Sequence, residues 1–333
     1  MKKLINDPGQ FVDEMLDGLL LAHPDQLRAA SEDRRALVRA DSPQQGRVGI
    51  VTGGGSGHLP TFLGYVGEGL CSGVAVGNVF SSPSAEQVLE ATKASDGGAG
   101  VLYLYGNYGG DVLNFDLAAD MADLEDIEIR TVLVTDDVAS QPRERTADRR
   151  GVAGLFFACK CAGAAAERGD DLAGVAEAAQ ATVDSTRTMG IGLSPTILPT
   201  VGKPTFELDE GEMEVGIGIH GEPGVHRGPL ETADEVTDRL LDPIVADLEL
   251  GAGDRVAVLV NGLGATPLEE LYLLYRRVHA RLGELGVEID RRYIGEFATS
   301  LEMAGASISV VRLDDRTSQL LAAPARSPFF EQR

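Results

Sequence analysis

Short apolar runs alternate with longer amphipathic segments along the first half of the chain. Runs of apolar and β-branched residues predict strands at residues 47–52, 101–105 and 130–134. Helical periodicity predicts helices at residues 60–70, 111–121, 151–168 and 172–187. Strands that alternate with helices are typical of an α/β sheet, and ligands tend to bind at the carboxyl ends of such strands.

The pattern changes near residue 190, where Gly, Pro and Thr interrupt the segment LSPTILPTVGKPTFEL and predict loops and short strands. Further elements are predicted as strands at residues 212–220, 255–261 and 307–313 and as a strong amphipathic helix at residues 267–282. A chain of 333 residues is long for a single hydrophobic core. We therefore expect two α/β domains, residues 1–190 and 191–333, with the substrate site near their interface.

The net charge of −23, from 29 basic and 52 acidic residues, makes nucleic acid and anionic membranes unfavourable partners. The three cysteines form no metal-binding pattern, and their odd number is typical of a reducing compartment. The N-terminal segment MKKLINDPGQ has no apolar core, so we expect no secretory signal. No apolar run is long enough to span a membrane. We therefore expect a cytoplasmic protein.

A glycine cluster, GGGSGHLP, follows the first predicted strand and spans Gly53 to Pro60. Glycines there let the backbone turn sharply and approach a ligand, and the loop amides could hold a phosphate or a hydroxyl group. The segment lacks the Gly-Lys-Ser/Thr end of a P-loop and the third glycine of the dinucleotide fingerprint. A tight strand–helix turn is the structural alternative, and His58 is either a structural or a catalytic side chain.

The second predicted strand ends in GNYGGD, which spans Gly106 to Asp111. Asp111 could cap the helix that follows, or it could act as a general base that takes a proton from a hydroxyl group. A later segment, NGLGATP, begins at Asn261 and could bind an anion, although capping of the next helix is the favoured interpretation.

A third glycine-rich segment, IGIHGEPG, surrounds His220. The small residues leave room for another molecule against the imidazole, and the alternative is a glycine-rich turn with an incidental histidine. His220, Glu222 and His226 could be drawn as a metal site, but the intervening Pro-Gly gives no regular ligand geometry, so we expect no metal.

Together these motifs resemble the dihydroxyacetone kinase family, specifically its substrate-binding K subunit. The resemblance covers nearly the whole chain in order. The matching segments are MKKLIND, GGGSGH, GYVGEG, SSPS, NYGGDVLNF, DDVA, RRGVAG, GAAAERGD, GKPTFEL, EMEVGIGIHGEPG, NGLGATPLEELY and TSLEMAG.

The resemblance implies two α/β domains, a homodimer and a kinase activity towards a small hydroxyketone. It implies that His220 holds the ketone carbon of the substrate as a covalent hemiaminal, and that His58 and Asp111 handle the protons. It also implies that the substrate contacts the glycine-rich loops. The expected substrate-binding residues are Gly55, Ser56, Gly57 and Gly106.

The resemblance covers only the K subunit. It implies that ATP or ADP with Mg²⁺ is bound by a separate L-type subunit, and that this chain binds no cofactor of its own. Whether the phosphoryl donor is ATP or a phosphoenolpyruvate-dependent phosphotransferase-system protein is left open. A non-catalytic ketose-binding regulator is the alternative, although the presence of His58, Asp111 and His220 together favours the enzyme. A dehydrogenase is disfavoured by the incomplete dinucleotide fingerprint.

Three positions differ from the family pattern. Leu59 stands where the family usually has Glu, Gly106 where it has Lys, and Gly109 where it has Thr. The missing lysine removes a hydrogen-bond donor and opens space. These changes predict a pocket that accepts a larger ketose, such as the tetrulose erythrulose.

Overall fold

The computed structural model describes residues 2–333, which divide into two compact units. Unit 1 comprises the chain up to Val134 together with Leu155–Thr182 and Thr317–Arg333. Unit 2 comprises Thr135–Gly154 and Val183–Arg316. Each unit is therefore discontinuous in sequence, whereas the sequence analysis places one division at residue 190. That division into 1–190 and 191–333 stays a prediction.

Unit 1 is built on a six-stranded sheet in the order β1-β2-β4-β3-β5-β6. The strands are β1 Leu27–Ala29, β2 Ala36–Arg39, β3 Gly49–Ser56, β4 Gly73–Val79, β5 Val101–Gly106 and β6 Ile129–Val134. The β4, β3, β5 and β6 strands are parallel to one another, whereas β1 pairs with β2, and β2 with β4, in antiparallel fashion. Parallel neighbours bring their carboxyl ends to one edge of the sheet.

The helices of the first half of the chain are α1 Phe11–Ala22, α2 Ala85–Ser95, α3 Gly109–Asp123, α4 Leu155–Arg168 and α5 Leu172–Asp184. The core of unit 1 lies where α2 and α3 pack on the central strands. Its largest members are aromatic, and they include Tyr103, Tyr105 and Phe115. The Tyr105 and Phe115 rings stack with centroids 4.0 Å apart, which joins the end of β5 to α3.

Unit 2 is built on a second six-stranded sheet in the order β11-β10-β12-β7-β8-β9. The strands are β7 Thr186–Ser194, β8 Glu212–Val215, β9 His226–Pro229, β10 Arg255–Gly262, β11 Glu288–Gly295 and β12 Ala304–Arg312. Only the β10–β11 pair is parallel among these strands. The helices α6 Ala233–Leu248 and α7 Leu268–Glu284 cover the sheet with leucine-rich faces.

The remaining elements are short. The chain ends with α8 Asp315–Ala322 and the hairpin of β13 Ala325–Ser327 and β14 Phe330–Gln332, and 3-10 turns lie at Pro8–Gln10, Leu63–Tyr65 and Arg143–Asp148. Among residues 2–333, every helix is too short or too polar to cross a bilayer.

The expected α/β class is confirmed, and most predicted strands and helices are present within a few residues. The helix predicted at 60–70 is wrong: this segment holds only the 3-10 turn Leu63–Tyr65. One reason is close packing at Gly67, where a Cβ atom would collide with the carbonyl oxygen of Arg326. The strand predicted at 212–220 ends at Val215, because Gly216 turns the chain with a φ of +78°.

Candidate functional site

The loop motif GGGSGHLP is largely part of the strand that precedes it. β3 continues to Ser56 and is buried throughout, so the glycines form the carboxyl end of a central strand. A Cβ atom on Gly55 would lie 2.6 Å from the amide nitrogen of Ser81, so only glycine permits this approach. Ser56 is fixed to the neighbouring strand β4, because its Oγ donates to the Gly77 carbonyl at 2.8 Å. The backbone at Gly55, Ser56 and Gly57 is thus held rigidly at the sheet edge.

His58 follows this strand end and is 1% exposed. Its ring is parallel to that of Phe80, with centroids 4.8 Å apart, and meets Phe62 edge-on at 6.3 Å. Two phenyl rings therefore fix the plane of the imidazole. The strand–helix turn considered in the sequence analysis is not formed, because β3 is followed by the 3-10 turn Leu63–Tyr65 and then by β4, with no α-helix between the two strands. A cavity of about 20 Å³, large enough for about one water molecule, is lined by Gly54–Leu59 and nearby residues.

Asp111 lies at the same edge of the unit 1 sheet, because β5 is parallel to β3 and ends at Gly106. The carboxyl group is in the first turn of α3, and the residue is 5% exposed. The helix begins at Gly109 with Tyr108 as N-cap, so the capping interpretation of Asp111 is wrong. A carboxylate in the first turn is stabilised by the exposed N–H groups and the helix dipole.

The segment after β4 lies between these two groups. Phe80 stacks on His58, and a Cβ atom on Gly110 would lie 2.6 Å from Ser82 Oγ, so Ser82 covers the start of α3. Burial raises the pKa of Tyr105, and the nearby charges of Asp116 and Asp111 raise it further. The parallel pairing of β4, β3 and β5 thus places His58, Asp111 and Gly106 at the same carboxyl edge of the sheet.

His220 lies in unit 2, in a closed turn after β8. The Gly218 amide donates to the Glu222 carbonyl and the Gly221 amide donates to the Gly218 carbonyl, both at 3.0 Å. His220 is bonded twice to the Glu222 carboxylate: its backbone amide donates to Oε2 at 3.0 Å, and its Nδ1 lies 2.9 Å from Oε1. The His220 side chain is 26% exposed. The turn therefore orients a partly exposed imidazole through Nδ1.

Glu222, which the sequence analysis considers only as a metal ligand, is the residue that holds the His220 amide and imidazole. Burial alone would raise the pKa of Glu222, but the hydrogen bond and charge of His220, with help from Arg150, lower it to about 2. His226 is exposed in β9. Within residues 2–333 there is no group of three or more His, Cys, Asp or Glu side chains arranged to hold a metal ion.

The low pKa of Glu222 predicts a pH dependence of stability. Its carboxylate has an ordinary pKa of 4.5 and a folded value of about 2, so its stabilisation is present above 4.5 and is lost as the pH falls towards 2. We expect the free energy of unfolding of wild type to exceed that of Glu222→Gln by about 2 kcal/mol at pH 7 and by much less near pH 3. Urea unfolding of both proteins at several pH values measures this difference, and a gap that does not change with pH would contradict the expectation.

The segment NGLGATP supplies the N-cap position of α7 at its last residue, Pro267, whereas Asn261 at its start has another role. The side chain is fully buried in β10, where Nδ2 donates to the Ala298 carbonyl at 2.8 Å and Oδ1 accepts the amides of Phe297 and Ala298. The N-cap of α7 is Pro267, which has no side-chain cap. Asn261 therefore fixes the segment after β11 rather than a helix end.

Comparison with known proteins identifies relatives along the whole chain. The model of the Dak1 domain matches residues 17–329. The dihydroxyacetone-binding subunit DhaK of PTS-dependent dihydroxyacetone kinase 2 from Listeria innocua is 47% identical over 99% of both chains. The D-erythrulose kinase of Mycolicibacterium smegmatis is 44% identical, over all of this chain and 57% of the relative.

Solved structures agree with the sequence matches. The dihydroxyacetone kinase of C. freundii in its native form superposes with a TM-score of 0.91 at 32% identity, covering 99% of this chain and 60% of that one. The dihydroxyacetone kinase operon co-activator Dha-DhaQ superposes with a TM-score of 0.90 at 30% identity, covering 96% and 98%.

Proposed function

Because this chain belongs to the Dak1 domain family, we propose that it is the substrate-binding subunit of a dihydroxyacetone kinase. The observation that carries the proposal is the His220 imidazole, which is held through Nδ1 by a carboxylate in a glycine-rich turn. A neutral imidazole that donates from Nδ1 to Glu222 has its lone pair on Nε2. That nitrogen is a nucleophile suited to a ketone carbon.

The capture step forms one carbon–nitrogen bond. Nε2 of His220 attacks the ketone carbon, the carbonyl oxygen gains a proton to become a hydroxyl group, and the Nδ1 proton, hydrogen-bonded to the Glu222 carboxylate, is released to solvent past the partly exposed ring. His58 is the proposed proton donor to that oxygen. The product is a hemiaminal, which holds a very small substrate more firmly than hydrogen bonds alone. Glycerol has no carbonyl group and cannot form it.

The transfer step uses Asp111. Its carboxylate takes the proton of the terminal hydroxyl group as the phosphoryl group arrives. The backbone of Gly55, Ser56, Gly57 and Gly106 is proposed to contact the substrate. We place ATP or ADP with Mg²⁺ on a separate L-type subunit, and this chain is proposed to work as a homodimer in the cytoplasm, where such donors are found.

The name of one relative suggests which phosphoryl donor is used. The Listeria innocua relative is described as PTS-dependent. We therefore propose a phosphotransferase-system protein as the donor to the L-type subunit, with direct use of ATP as the alternative.

A larger ketose is a second candidate substrate. A Cβ atom on Gly109 would meet no atom within 4 Å, so at this exposed position, where the family usually carries Thr, no protein atom opposes a larger substrate. The D-erythrulose kinase of Mycolicibacterium smegmatis is nearly as similar to this chain as the dihydroxyacetone-binding subunit of Listeria innocua. These two facts favour erythrulose beside dihydroxyacetone.

A ketose panel tests both proposals. The purified chain is mixed with an L-type kinase subunit and Mg²⁺, in one arm with phosphoenolpyruvate and phosphotransferase-system proteins and in the other with ATP. The phosphorylated products of dihydroxyacetone, erythrulose and glycerol are measured directly. We expect turnover of both ketoses and none of glycerol. Turnover of dihydroxyacetone without erythrulose would refute the larger pocket.

Intact mass of the protein mixed with a ketose, recorded without reduction, tests capture separately from transfer. An adduct on His220 without turnover by any L-type subunit would indicate a ketose-binding regulator, a role favoured by the likeness to the co-activator Dha-DhaQ. Absence of an adduct with every ketose would contradict the covalent mechanism.

A further inference from the structure

Arg150 connects three parts of unit 2 that meet at the His220 turn. Its Nε donates to Asp137 Oδ2 at 2.9 Å, and its Nη2 donates to the Gly216 carbonyl at 3.1 Å. Its Nη1 lies 3.9 Å from Glu222 Oε2, the oxygen that accepts the backbone amide of His220. One guanidinium therefore contacts the carboxylate that orients His220 and the glycine at which the turn begins.

Asp137 anchors this guanidinium from a rigid segment. Its Oδ1 accepts the Ala139 amide at 3.0 Å, and its backbone amide donates to the Arg150 carbonyl at 3.1 Å. The segment is paired to β7, because the Val138 amide donates to the Thr188 carbonyl at 3.0 Å. The Asp137 side chain is 4% exposed, so the pair with Arg150 is shielded from solvent and screened little by salt.

Two glycines allow the turn to lie against this pair. A Cβ atom on Gly218 would collide with both the Glu222 carboxylate and Arg150 Nη1. A Cβ atom on Gly216 would lie 2.6 Å from the Ala139 methyl group. The absence of side chains at these positions leaves space that the Arg150–Glu222 contact and the anchoring segment occupy. Glycine here thus serves the ion pair as well as the turn.

Burial raises the pKa of Asp137 to about 6, and the charge of Arg150 opposes this shift while Asp136 adds to it. Removing either partner would leave a buried charge without its counter-charge, which is costly. The two side chains are therefore expected to act as one unit.

We propose that Arg150, anchored by Asp137, is a positioning residue that holds the Gly216–Glu222 turn and aims the Glu222 carboxylate at His220 Nδ1. The inference rests on the proposed function, since it concerns the same covalent histidine. Without Arg150, Glu222 is free to rotate away, and Nε2 loses the tautomer and direction needed for attack. Arg150 acts through Glu222 and contacts no reacting atom.

Arg149 provides a matched control in the neighbouring position. It is 1% exposed and forms a bidentate pair with Asp247, at 3.0 and 2.6 Å. Its Nε donates to the Gln141 carbonyl at 2.8 Å. A substitution of Arg149 also disturbs a buried arginine–aspartate pair of unit 2. This pair lies at α6 and not at the His220 turn.

The test is a double-mutant cycle measured on the full chain with an L-type subunit. Arg150→Ala, Glu222→Gln and the double variant are compared for the rate of adduct formation, followed by intact mass without reduction, and for kcat/KM with dihydroxyacetone. We expect Arg150→Ala to lower both rates by about tenfold to a hundredfold in the wild-type background, and by less than about threefold in the Glu222→Gln background. Arg150→Lys, which keeps the charge but loses the fork, is expected to recover part of the loss.

Stability is followed in parallel by thermal unfolding. Arg149→Lys is expected to lower the melting temperature while the adduct rate stays within about twofold of wild type. An equal loss with Arg150→Ala in both backgrounds would overturn the positioning role, as would losses that follow melting temperature in the Arg149 and Arg150 variants alike. If Arg150→Ala does not fold, Arg150→Lys carries the same cycle. A wild-type protein that forms no adduct refutes the proposed function instead, so the two failures are distinct.

Discussion

Replacement of His220 with alanine is expected to abolish both the ketose adduct seen by intact mass and phosphoryl transfer, with a loss in kcat/KM of at least about a thousandfold. The physical reason is that the proposed carbon–nitrogen bond needs a lone pair that Glu222 directs from the opposite side of the ring. An alanine offers no nucleophile, and a ketone as small as dihydroxyacetone makes too few other contacts to bind well.

The fold should tolerate this change. The His220 side chain is 26% exposed, so its removal leaves no buried cavity of its size. The Glu222 carboxylate keeps the backbone amide of residue 220 as a partner. His226→Ala is the matched control, because His226 is an exposed histidine six residues further along the chain. Intact mass and turnover are measured for both variants. An adduct that survives in His220→Ala would show that another side chain captures the ketone.

The local pattern was sufficient to locate the elements that carry His58 and Asp111. A β-branched run that meets glycines predicted a central strand, and β3 ends at Ser56, two residues before His58, while β5 ends at Gly106, five residues before Asp111. The same argument failed for residues 60–70, because a helical pattern cannot reveal that Gly67 must pack against the carbonyl of Arg326, far along the chain. Propensity is local, and such tertiary contacts override it.

The residues around His220 were harder to predict for the same reason. Glu222 is two residues from His220, so its spacing could have suggested a carboxylate–imidazole pair. Arg150 and Asp137 lie far away in sequence and reach the turn only because Thr135–Gly154 packs with Val183–Arg316 in unit 2. Asp136–Asp137 and Arg149–Arg150 were visible as consecutive like charges in the matching segments DDVA and RRGVAG. Nothing in the sequence pattern indicates that Asp137 pairs with Arg150.

Replacement of Asp111 with asparagine is expected to separate capture from transfer. The adduct on His220 should still form at close to the wild-type level, whereas kcat should fall by about 10²- to 10⁴-fold, because an amide cannot accept the proton of the terminal hydroxyl group. Asparagine has nearly the same shape, so the buried packing around the first turn of α3 is kept. The loss of a negative charge at the helix N-terminus costs about 1 kcal/mol or less.

Asp116→Asn is the matched control for this change. Asp116 is exposed on the same helix and, like Asp111, its charge raises the pKa of Tyr105, so both substitutions remove one negative charge from the same neighbourhood. Only Asp111 is buried at the strand edge beside the His58 loop, so only its loss should lower kcat. Single-turnover phosphoryl transfer and formation of the ketose adduct on His220 are measured for each variant. If Asp111→Asn lost the adduct together with turnover, the carboxylate would act in capture. If kcat were unchanged, proton removal from the hydroxyl group would have to be assigned to another residue, and His58, buried at the same sheet edge, would be the next to test.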